Sequence, residues 1–507
     1  MQASAQILKI HRLDNVAVAL CPLAKGQQAG EIVALDAVPA GHKIALQAIH
    51  VGEPVIKYGY SIGVATVEIL PGQHVHSHNL TSALRGKLED RAFDATSAAV
   101  AQKGHATTLG SAATFDGFRR PDGSVGIRNE IWIINTVGCV NHSATRIAER
   151  ATREIVGKGS SVEGIYTFNH PYGCSQLGED MAYTQRLLAG LTRHPNAAGV
   201  LVLGLGCENN QISLFKEFLD KPESPRFRFL VAQECEDDLE TGVQLVHELA
   251  EYAGQFKREP IPASELILGM KCGGSDGLSG ITGNPLVGRV ADKLAEVGGT
   301  SILTEVPEMF GAEEVLLDRA LTAKVSSDTI HLVNSFREYF QRHNEPIDEN
   351  PSPGNKEGGI TTLAEKSLGC VQKGGCFPIK QVLDYGQQAS PNLGGIALLN
   401  GPGNDGVAGS ALSAAGAHMV LFTTGRGNPM GFPVPTIKIS TNTPLAERKS
   451  TWIDFNAGPF ADGTSSMEEL ADKLFQLVLD VASGRTHTKA EMNGFREISI
   501  WKDGVTL

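Results

Sequence analysis

Four times in this chain a run of β-branched and apolar residues ends at a cysteine, and a helical pattern begins soon afterwards. The cysteines are Cys139, Cys174, Cys207 and Cys272. A strand, a short glycine-containing turn and a helix form the unit of a parallel α/β sheet. Ligands bind beyond the carboxyl ends of such strands, where a helix N-terminus also favours a thiolate. The pattern predicts a metal or reactive-thiol site at a sheet edge, although any one of these cysteines is more often a small buried residue in a tight turn.

The chain has 507 residues, which is too long for one ordinary core, so we expect a multidomain α/β protein. Short β segments separated by Gly, Pro or Asp predict a small all-β domain over residues 1–92. Residues 93–117 are rich in Ala, Ser, Thr and Gly and are interpreted as a linker. Strand–loop–helix alternation then predicts two α/β domains with mainly parallel sheets, over residues 118–258 and 265–507.

The charge of the chain bears on its partners and its location. With 56 acidic and 44 basic residues the formal net charge is −12, which argues against a nucleic-acid or anionic-membrane surface. We find neither a secretory signal pattern nor a run of about 18 apolar residues. Eight cysteines in a chain of this kind do not indicate a disulfide framework. We therefore expect a cytoplasmic protein without nucleic-acid or membrane partners, and a homo-oligomer is left open.

The strongest short motif is a set of alternating histidines, His74, His76 and His78. Alternate residues of a strand face one side, so the three imidazoles would share a face on which a borderline divalent metal could bind. The competing interpretation is a solvent-facing strand end, and we favour a ligand role for at least one of them. Lys43 and Lys57 in the same domain could act as a base or bind a carboxylate, but lone lysines are more often solvated surface charges.

A glycine-rich turn over residues 271–280 follows one predicted strand and precedes a helix. Its backbone N–H groups could bind an anion, yet its spacing fits neither a dinucleotide fingerprint nor a P-loop. A carboxylate or a polyhydroxylated substrate fits better. The residues that we expect at this substrate, from this turn and two similar ones, are Gly273, Gly274, Ser275, Asp276, Asn404 and Asp405. Arg128 and Arg426 are candidate bidentate partners of a substrate carboxylate, although structural ion pairs are an equally common use of arginine.

Further polar residues follow predicted strands or stand near cysteines. Glu305 and Glu308 would reach a sheet edge, where a carboxylate could be a metal ligand, a general acid or base, or an ordinary hydrogen-bond partner. The remaining candidates of this kind are His170, Lys366, Lys373 and Cys370.

Taken together these motifs resemble the altronate/galactarate dehydratase family over essentially the whole chain. The resemblance rests on long strings that include VIKYGYSIG, HVHSHN, VGIRNEIWIINTVGCVN, HPYGCSQLG, CGGSDGLSGITGNPLVGR and LFTTGRGNP. It implies that the N-terminal domain is a SAF domain of β-clip fold. It also implies a hydro-lyase that acts on a small-molecule sugar acid by β-elimination of water, giving a 2-keto-3-deoxy acid. For altronate this product is 2-dehydro-3-deoxy-D-gluconate, within hexuronate catabolism.

The family suggests Fe2+ as the cofactor, with Mn2+ as the alternative. We expect the N-terminal domain to fold over the sheet edge and to bring its histidines to the cysteine loops. The expected catalytic residues are His76, His170, Lys271 and Glu305. The expected metal ligands are His74, His76, His78, Cys174, Cys207, Cys272 and Cys370. A mononuclear site is placed slightly ahead of an iron–sulfur cluster on the cysteine loops, because the usual ferredoxin spacings are absent.

Other functions were weighed against this one. A galactarate dehydratase shares the catalytic motifs, and a sulfolactate sulfo-lyase is a more distant relative. A non-catalytic sugar-acid-binding protein is the rival from another class, and it predicts binding without turnover. A thiol-based redox enzyme would also use polarised cysteines, but the chain has no Cys-x-x-Cys pair.

Overall fold

The computed structural model describes residues 6–84, 86–89, 93–94 and 113–504. Its N-terminal part consists of short strands without a described helix. The strands are β1 (Ile7–Leu8), β2 (Val16–Ala19), β3 (Gln28–Ala29), β4 (Ile32–Val33), β5 (Lys43–Ala45), β6 (Pro54–Lys57), β7 (Tyr60–Ala65), β8 (His74–Val75) and β9 (Leu80–Thr81). They form antiparallel sheets in the orders β1-β2-β5-β8, β6-β7-β9 and β3-β4. The expected all-β N-terminal domain is confirmed.

The middle part contains the second group of elements. Its strands are β10 (Thr114–Arg119), β11 (Val125–Gly126), β12 (Glu130–Asn135), β13 (Gly164–Thr167), β14 (Ala197–Gly204), β15 (Phe227–Val231) and β16 (Glu259–Pro262). Its helices are α1 (Asn141–Ile155), α2 (Gly178–Arg193), α3 (Ile212–Phe215) and α4 (Asp238–Ala253). A parallel sheet in the order β13-β12-β14-β15, here called the central sheet, lies beside an antiparallel sheet β11-β10-β16. The last four residues assigned to the linker, 114–117, are thus part of β10, and most of the rest of that segment lies outside the described residues.

The C-terminal part is built on a second parallel sheet, here called the C-terminal sheet. Its strands are β17 (Ile267–Cys272), β18 (Thr300–Leu303), β19 (Ile379–Leu383), β20 (Gly395–Leu399), β21 (Met419–Thr424), β22 (Thr436–Ser440) and β23 (Phe455–Asn456), in the order β19-β20-β18-β17-β21-β22-β23. Its helices are α5 (Gly283–Glu296), α6 (Glu313–Leu317), α7 (Ala323–Arg342), α8 (Pro353–Glu357), α9 (Leu363–Cys370), α10 (Asp405–Ala414), α11 (Thr443–Arg448), α12 (Gly458–Ala461), α13 (Met467–Ala482) and α14 (Lys489–Met492). All neighbouring strands are parallel, which confirms the expected fold class.

Short 3-10 helices join these elements. They cover Gly138–Val140, Lys216–Phe218, Ala232–Glu234, Ala263–Glu265, Val306–Met309 and Val371–Gly374. None of the helices within the described ranges is long and apolar enough to cross a membrane.

The sequence explains why these strands lie in the middle of parallel sheets. β14 reads AAGVLVLG and β17 reads ILGMKC, and every residue of both strands is buried. Such continuous apolar runs are typical of strands that are covered by helices on both faces. After α5 the chain reverses at Gly298, whose φ of +95° suits the glycine that often follows the end of a helix.

The C-terminal sheet runs outward from β17 in both directions, towards β18 on one side and towards β21 on the other. The crevice beyond the carboxyl ends at such a switch point is where ligands of open α/β sheets bind. Cys272 ends β17 at this point, whereas Cys139, Cys174 and Cys207 follow strands of the central sheet. The expectation that all of these cysteines share one sheet edge is therefore wrong.

Candidate active site

Two thiols and one carboxylate meet at the carboxyl edge of the C-terminal sheet. Cys272 ends β17, Glu308 lies in the 3-10 helix after β18, and Cys370 ends α9. The Sγ atom of Cys370 is 2.9 Å from Oε2 of Glu308, and that of Cys272 is 3.3 Å from the same oxygen. Within the described part of the chain this is the only group of three or more His, Cys, Asp or Glu residues whose ligand atoms all lie within 4.8 Å of one another. Two sulfurs and a carboxylate oxygen fit a borderline divalent ion such as Fe2+.

Lysines and carboxylates, all of them buried except Asp405, surround the two thiols. Together with these thiols they form what we call the lysine–thiol cluster, which consists of Lys271, Cys272, Glu305, Glu308, Lys366, Cys370, Lys373 and Asp405. The Nζ atom of Lys271 is 2.6 Å from Glu305 and 2.8 Å from Asp405. That of Lys373 is 2.7 Å from Glu305 and 2.9 Å from the sulfur of Cys272. Lys366 contacts Glu308 at 2.9 Å.

The charges of this cluster stabilise one another. Burial opposes the ammonium charge of Lys271, but the nearby carboxylates outweigh burial and raise its pKa. The lysines likewise outweigh burial at Glu308 and lower its pKa to about 2. The hydrogen bond to Cys272, together with burial, raises the pKa of Cys370 well above its usual value. At neutral pH the lysines are therefore charged and the Cys370 thiol is protonated, so an ion bound to that sulfur would displace its proton.

The backbone at Glu305 is also unusual. It lies in the left-handed region, with φ 69° and ψ 54°, which is costly for a residue other than glycine. Its side chain is held by Lys271 and Lys373 and accepts a hydrogen bond from the backbone N–H of Cys272 at 3.1 Å. Strained residues held by several contacts are common at functional sites, which makes Glu305 part of the candidate site.

The glycine-rich turn after β17 lies beside this cluster. A Cβ atom on Gly273 would lie 2.6 Å from a carboxylate oxygen of Asp405, so only glycine fits there without a shift. Ser275 is buried and its hydroxyl has no hydrogen-bond partner within the described ranges. Asp276 is partly buried and accepts hydrogen bonds from the hydroxyls of Ser279 and Thr441. The turn therefore presents backbone and one free hydroxyl next to the charged groups.

The rim of the site is more exposed. Asp405 is partly exposed at its side chain, and Asn404 caps α10 by accepting a hydrogen bond from the N–H of Val407. Arg426 pairs with the Glu357 carboxylate at 2.9 Å and is 45% exposed at its side chain. These residues stand where a substrate carboxylate could enter.

The N-terminal domain packs against this edge through buried charges. Lys43 and Lys57 each place Nζ 2.8 Å from a different oxygen of Glu365, in α9. The interpretation of these lysines as solvated surface charges is wrong, because both side chains are buried. Burial alone would raise the pKa of Glu365, but the two lysines outweigh this effect and lower its pKa to about 2. The Glu365 carboxylate outweighs burial at Lys57 and raises its pKa, whereas burial outweighs this carboxylate at Lys43 and lowers the pKa of Lys43 to about 8.

The histidines of this domain lie against α8. The ring nitrogens of His42 and His76 are 3.1 Å and 2.9 Å from the backbone carbonyls of Glu357 and Lys356. Another ring nitrogen of His42 is 3.0 Å from His74. Burial lowers the pKa of His42 and of His76, and it lowers that of His74 to about 4, so these rings are neutral at pH 7.

His78 stands at the edge of this group, with its ring 5.5 Å from that of His74. The structure does not assemble His74, His76 and His78 as a ligand set for one ion, since the only such set within the described residues is the one at Cys272. The N-terminal domain does cover the sheet edge, but its histidines contact the rim at α8 rather than the thiols.

Two predicted site residues lie elsewhere, in buried hydrogen-bond networks. Arg128 is buried, and it donates from Nε to Glu491 at 2.8 Å and from Nη1 to two backbone carbonyls. Its Nη2 has no hydrogen-bond partner within the described ranges, but these contacts hold the side chain away from the lysine–thiol cluster. His170 is buried, with Nε2 2.8 Å from the carbonyl of Asn135 and Nδ1 accepting from the N–H of Tyr172 at 3.2 Å. It holds its own loop in place and has no nitrogen free to act as a base.

The predicted metal ligands fall into two groups. Cys272 and Cys370 are buried in the lysine–thiol cluster, while Cys174 and Cys207, together with Cys139, are exposed at the edge of the central sheet. A single ligand set containing all of them is therefore excluded by the fold.

Sequence reasoning did not identify Glu365. A glutamate in a helical pattern usually faces solvent, so nothing set it apart. The signal available in the sequence was composition, because the segment GGITTLAEKSLGC contains few other charged residues. The structure shows that this segment is almost wholly buried. Glu308 was considered, but its two thiol neighbours could not be foreseen.

Comparison with known proteins agrees with this architecture. The family model "Altronate/galactarate dehydratase SAF domain" matches residues 5–83, "D-galactarate dehydratase/Altronate hydrolase, second domain" matches 117–254, and "D-galactarate/Altronate dehydratase, C-terminal" matches 263–506. An altronate dehydratase of Bacillus subtilis (strain 168) is 47% identical over 504 residues, which is 99% of this chain and 99% of that protein. This chain belongs to the altronate/galactarate dehydratase family.

Other members of the altronate/galactarate dehydratase family are similar over comparable lengths. An altronate dehydratase of Escherichia coli (strain K12) is 46% identical, covering 99% of this chain and all of that protein. A galactarate dehydratase (L-threo-forming) of the same organism is 33% identical, covering 97% of this chain and 95% of that protein. The SAF assignment of the N-terminal domain, expected from the sequence, is confirmed.

Proposed function

We propose that this protein is a hydro-lyase that converts D-altronate into 2-dehydro-3-deoxy-D-gluconate and water at the carboxyl edge of its C-terminal sheet. The observation that carries the proposal is the buried lysine–thiol cluster, which lies at the switch point of this sheet under the N-terminal domain. It is supported by the near full-length similarity to two altronate dehydratases, which exceeds that to a galactarate dehydratase.

The reaction needs a strongly cationic pocket. Removing the C2 proton of a sugar acid places negative charge on the substrate carboxylate, and this charge must be stabilised as it develops. Lys271 supplies a fixed ammonium group, because its contacts with Glu305 and Asp405 keep it protonated and in place. In this proposal Arg426 and the backbone of the Gly273 turn orient the substrate carboxylate towards it.

The base is a neutral histidine of the N-terminal domain. Because Nε2 of His76 lies 2.9 Å from a backbone carbonyl, this nitrogen carries the proton and donates it. Nδ1 then holds the lone pair, and its neighbour is the hydroxyl of Ser77 at 3.0 Å. In this proposal Nδ1 takes the C2 proton, and the imidazolium so formed gives a proton to the C3 hydroxyl, which leaves as water. The resulting enol tautomerises to the ketone.

The metal proposal is Fe2+, with Mn2+ as the alternative. Cys272, Glu308 and Cys370 would hold it, because they form the only ligand-sized group within the described residues. When bound, such an ion supplies Lewis acidity towards substrate oxygens. The three lysines that surround these ligands keep Glu308 ionised and in position.

The test is turnover by the full chain, purified without oxygen and supplied with Fe2+. Formation of the 2-keto-3-deoxy acid from D-altronate is measured beside galactarate at equal concentration. The proposal expects kcat/KM for altronate to exceed that for galactarate. A higher value for galactarate would replace the proposed substrate, and binding of altronate without turnover would favour the binding-protein alternative.

A further inference from the structure

The three cysteines of the central sheet lie on loops that are hydrogen-bonded to one another. Cys139, Cys174 and Cys207 follow β12, β13 and β14, which are neighbours in the order β13-β12-β14. The N–H of Gly138 donates to the carbonyl of Tyr172 at 2.8 Å, which ties the first loop to the second. All three thiols are exposed, so they stand at a common edge and face outward.

The second loop is also bonded to the third. The N–H of Asn210 donates to the carbonyl of Gly173 at 3.2 Å, and that of Ser175 donates to the side chain of Asn209 at 2.8 Å. Ser175 itself has a φ of +56°, an uncommon conformation for a residue other than glycine. The backbone beside Cys174 is therefore held in one strained geometry by its neighbours.

Buried polar atoms without partners gather at the same edge. Within the described ranges these are Oδ1 of Asn135, Oγ1 of Thr167, Nε2 of Gln176 and Oδ1 of Asn210. Asn135 ends β12, Thr167 ends β13, and Gln176 stands two residues after Cys174. Buried side-chain groups are rarely left unpaired, so one amide donor, two amide acceptors and one hydroxyl without partners at one edge support a bound group there.

The loop of Cys139 also leads into an uncapped helix. The 3-10 helix Gly138–Val140, which contains Cys139, leads directly into α1. Neither helix has a side-chain cap or an acidic residue in its first turn. The N-terminus of α1 thus begins at this edge without a capping side chain.

A single ion does not fit these cysteines. Within the described residues, the sulfurs of Cys139, Cys174 and Cys207 do not form a group in which all ligand atoms lie within 4.8 Å of one another. They are therefore too far apart to bind one metal ion together. A polynuclear cluster spans a wider set of thiolates. Cys235, which follows β15, is partly buried and directs its Sγ to the carbonyl of Val231 at 3.4 Å, so it is turned back to its own strand.

We propose that Cys139, Cys174 and Cys207 ligate an iron–sulfur cluster at the edge of the central sheet, separate from the ion at Cys272, Glu308 and Cys370. Three thiolates leave one cluster position without a cysteine. This inference does not depend on the substrate, because the two sites lie on different sheets.

The experiment measures iron and acid-labile sulfide per chain in the full-length protein, purified without oxygen and reconstituted with ferrous iron and sulfide. The single variants Cys139→Ser, Cys174→Ser and Cys207→Ser are compared with the matched control Cys376→Ser, an exposed cysteine of the C-terminal part. We expect wild type and control to hold sulfide together with visible absorption. Each ligand variant should lose most of both.

A second measurement does not depend on how the variants fold. Alkylation of the wild-type protein, mapped by mass spectrometry, should modify Cys139, Cys174 and Cys207 before reconstitution and spare all three afterwards, while Cys376 reacts in both states. Sulfide-free iron in the reconstituted wild type would overturn the proposal, as would unchanged alkylation of the three thiols. Sulfide bound without altronate turnover would support the cluster while contradicting the proposed substrate.

Discussion

The Sγ atoms of Cys272 and Cys370 lie 3.4 Å apart, although the two residues are separated by 98 positions in the chain. They meet only because β17 and α9 end at the same point beside Glu308. Serine in place of either cysteine keeps the shape but removes the sulfur ligand. We expect Cys272→Ser and Cys370→Ser to lower kcat by at least about tenfold. The content of iron that is not accompanied by acid-labile sulfide should fall by a similar factor.

Metal analysis of the anaerobic protein checks this expectation. Cys21→Ser is the matched control, because Cys21 lies in the N-terminal domain away from these contacts. Iron content unchanged in both ligand variants would remove this pair from the metal proposal.

Docking of the N-terminal domain depends on a close backbone approach. A Cβ atom on Gly277 would lie 1.9 Å from the carbonyl oxygen of Gly41, so Gly277→Ala must displace the domain from the sheet edge. We expect a fall in kcat of at least about tenfold, because displacement of catalytic groups by even an ångström is costly. Gly354→Ala is the control, since the nearest atom to its added Cβ is 3.9 Å away. Equal turnover by the two variants would contradict a catalytic role for the docked domain.

The same interface contains a buried ion triad. Glu365→Gln would leave Lys43 and Lys57 buried without a counter-charge, so we expect a loss of about 3–5 kcal/mol in the free energy of unfolding. Urea unfolding measures the change. The control Glu338→Gln removes an exposed partner of Lys87 and should leave the free energy of unfolding close to that of wild type. Similar losses in the two variants would show that the triad contributes no more than a surface pair.

The acid sensitivity of the fold should depend on a buried histidine. His418 accepts a hydrogen bond at Nδ1 from the N–H of Ile267 at 2.9 Å, and its Nε2 lies 2.7 Å from the carbonyl of Val125. The ring is therefore neutral, and burial lowers the pKa of His418 to about 4 from its ordinary value of 6.5. Between these values the unfolded chain binds more protons than the folded protein, so stability falls as the pH is lowered from about 6.5 to 4.

This histidine should contribute a loss of about 3 kcal/mol across that range. The measurement is urea unfolding at several pH values. His418→Gln should flatten the dependence, whereas the control His50→Gln, at an exposed position, should leave it as in wild type. An identical pH dependence in wild type and His418→Gln would contradict this assignment.

The sequence was most informative where a local pattern determines the position of a residue. Lys271, Cys272 and Glu305 were placed at a sheet edge because each stands where a buried strand ends, and the structure brings them together. The sheet to which a cysteine belongs was not predictable, because strand order is not encoded in local periodicity. For this reason Cys174 was grouped with Cys272 although their strands lie in different sheets.

Contacts over long sequence separations explain the remaining errors. Lys43 and Lys57 were interpreted as solvated because their partner, Glu365, is more than 300 residues away in the chain. Arg128 precedes a strand in the same way as a substrate-binding arginine would, and only the fold reveals Glu491 beside it. Local sequence thus located the chemistry at strand ends, while burial and pairing required the tertiary structure.

The central claim is that Lys271 and its neighbours dehydrate D-altronate at the edge of the C-terminal sheet. The most direct test is the steady-state rate of 2-dehydro-3-deoxy-D-gluconate formation by wild type, Lys271→Met and the exposed-lysine control Lys324→Met, each loaded with Fe2+. We predict that wild type and the control turn over altronate equally, and that Lys271→Met, still folded by circular dichroism, loses on the order of 10²–10³ in kcat. Wild-type turnover by Lys271→Met would contradict the account.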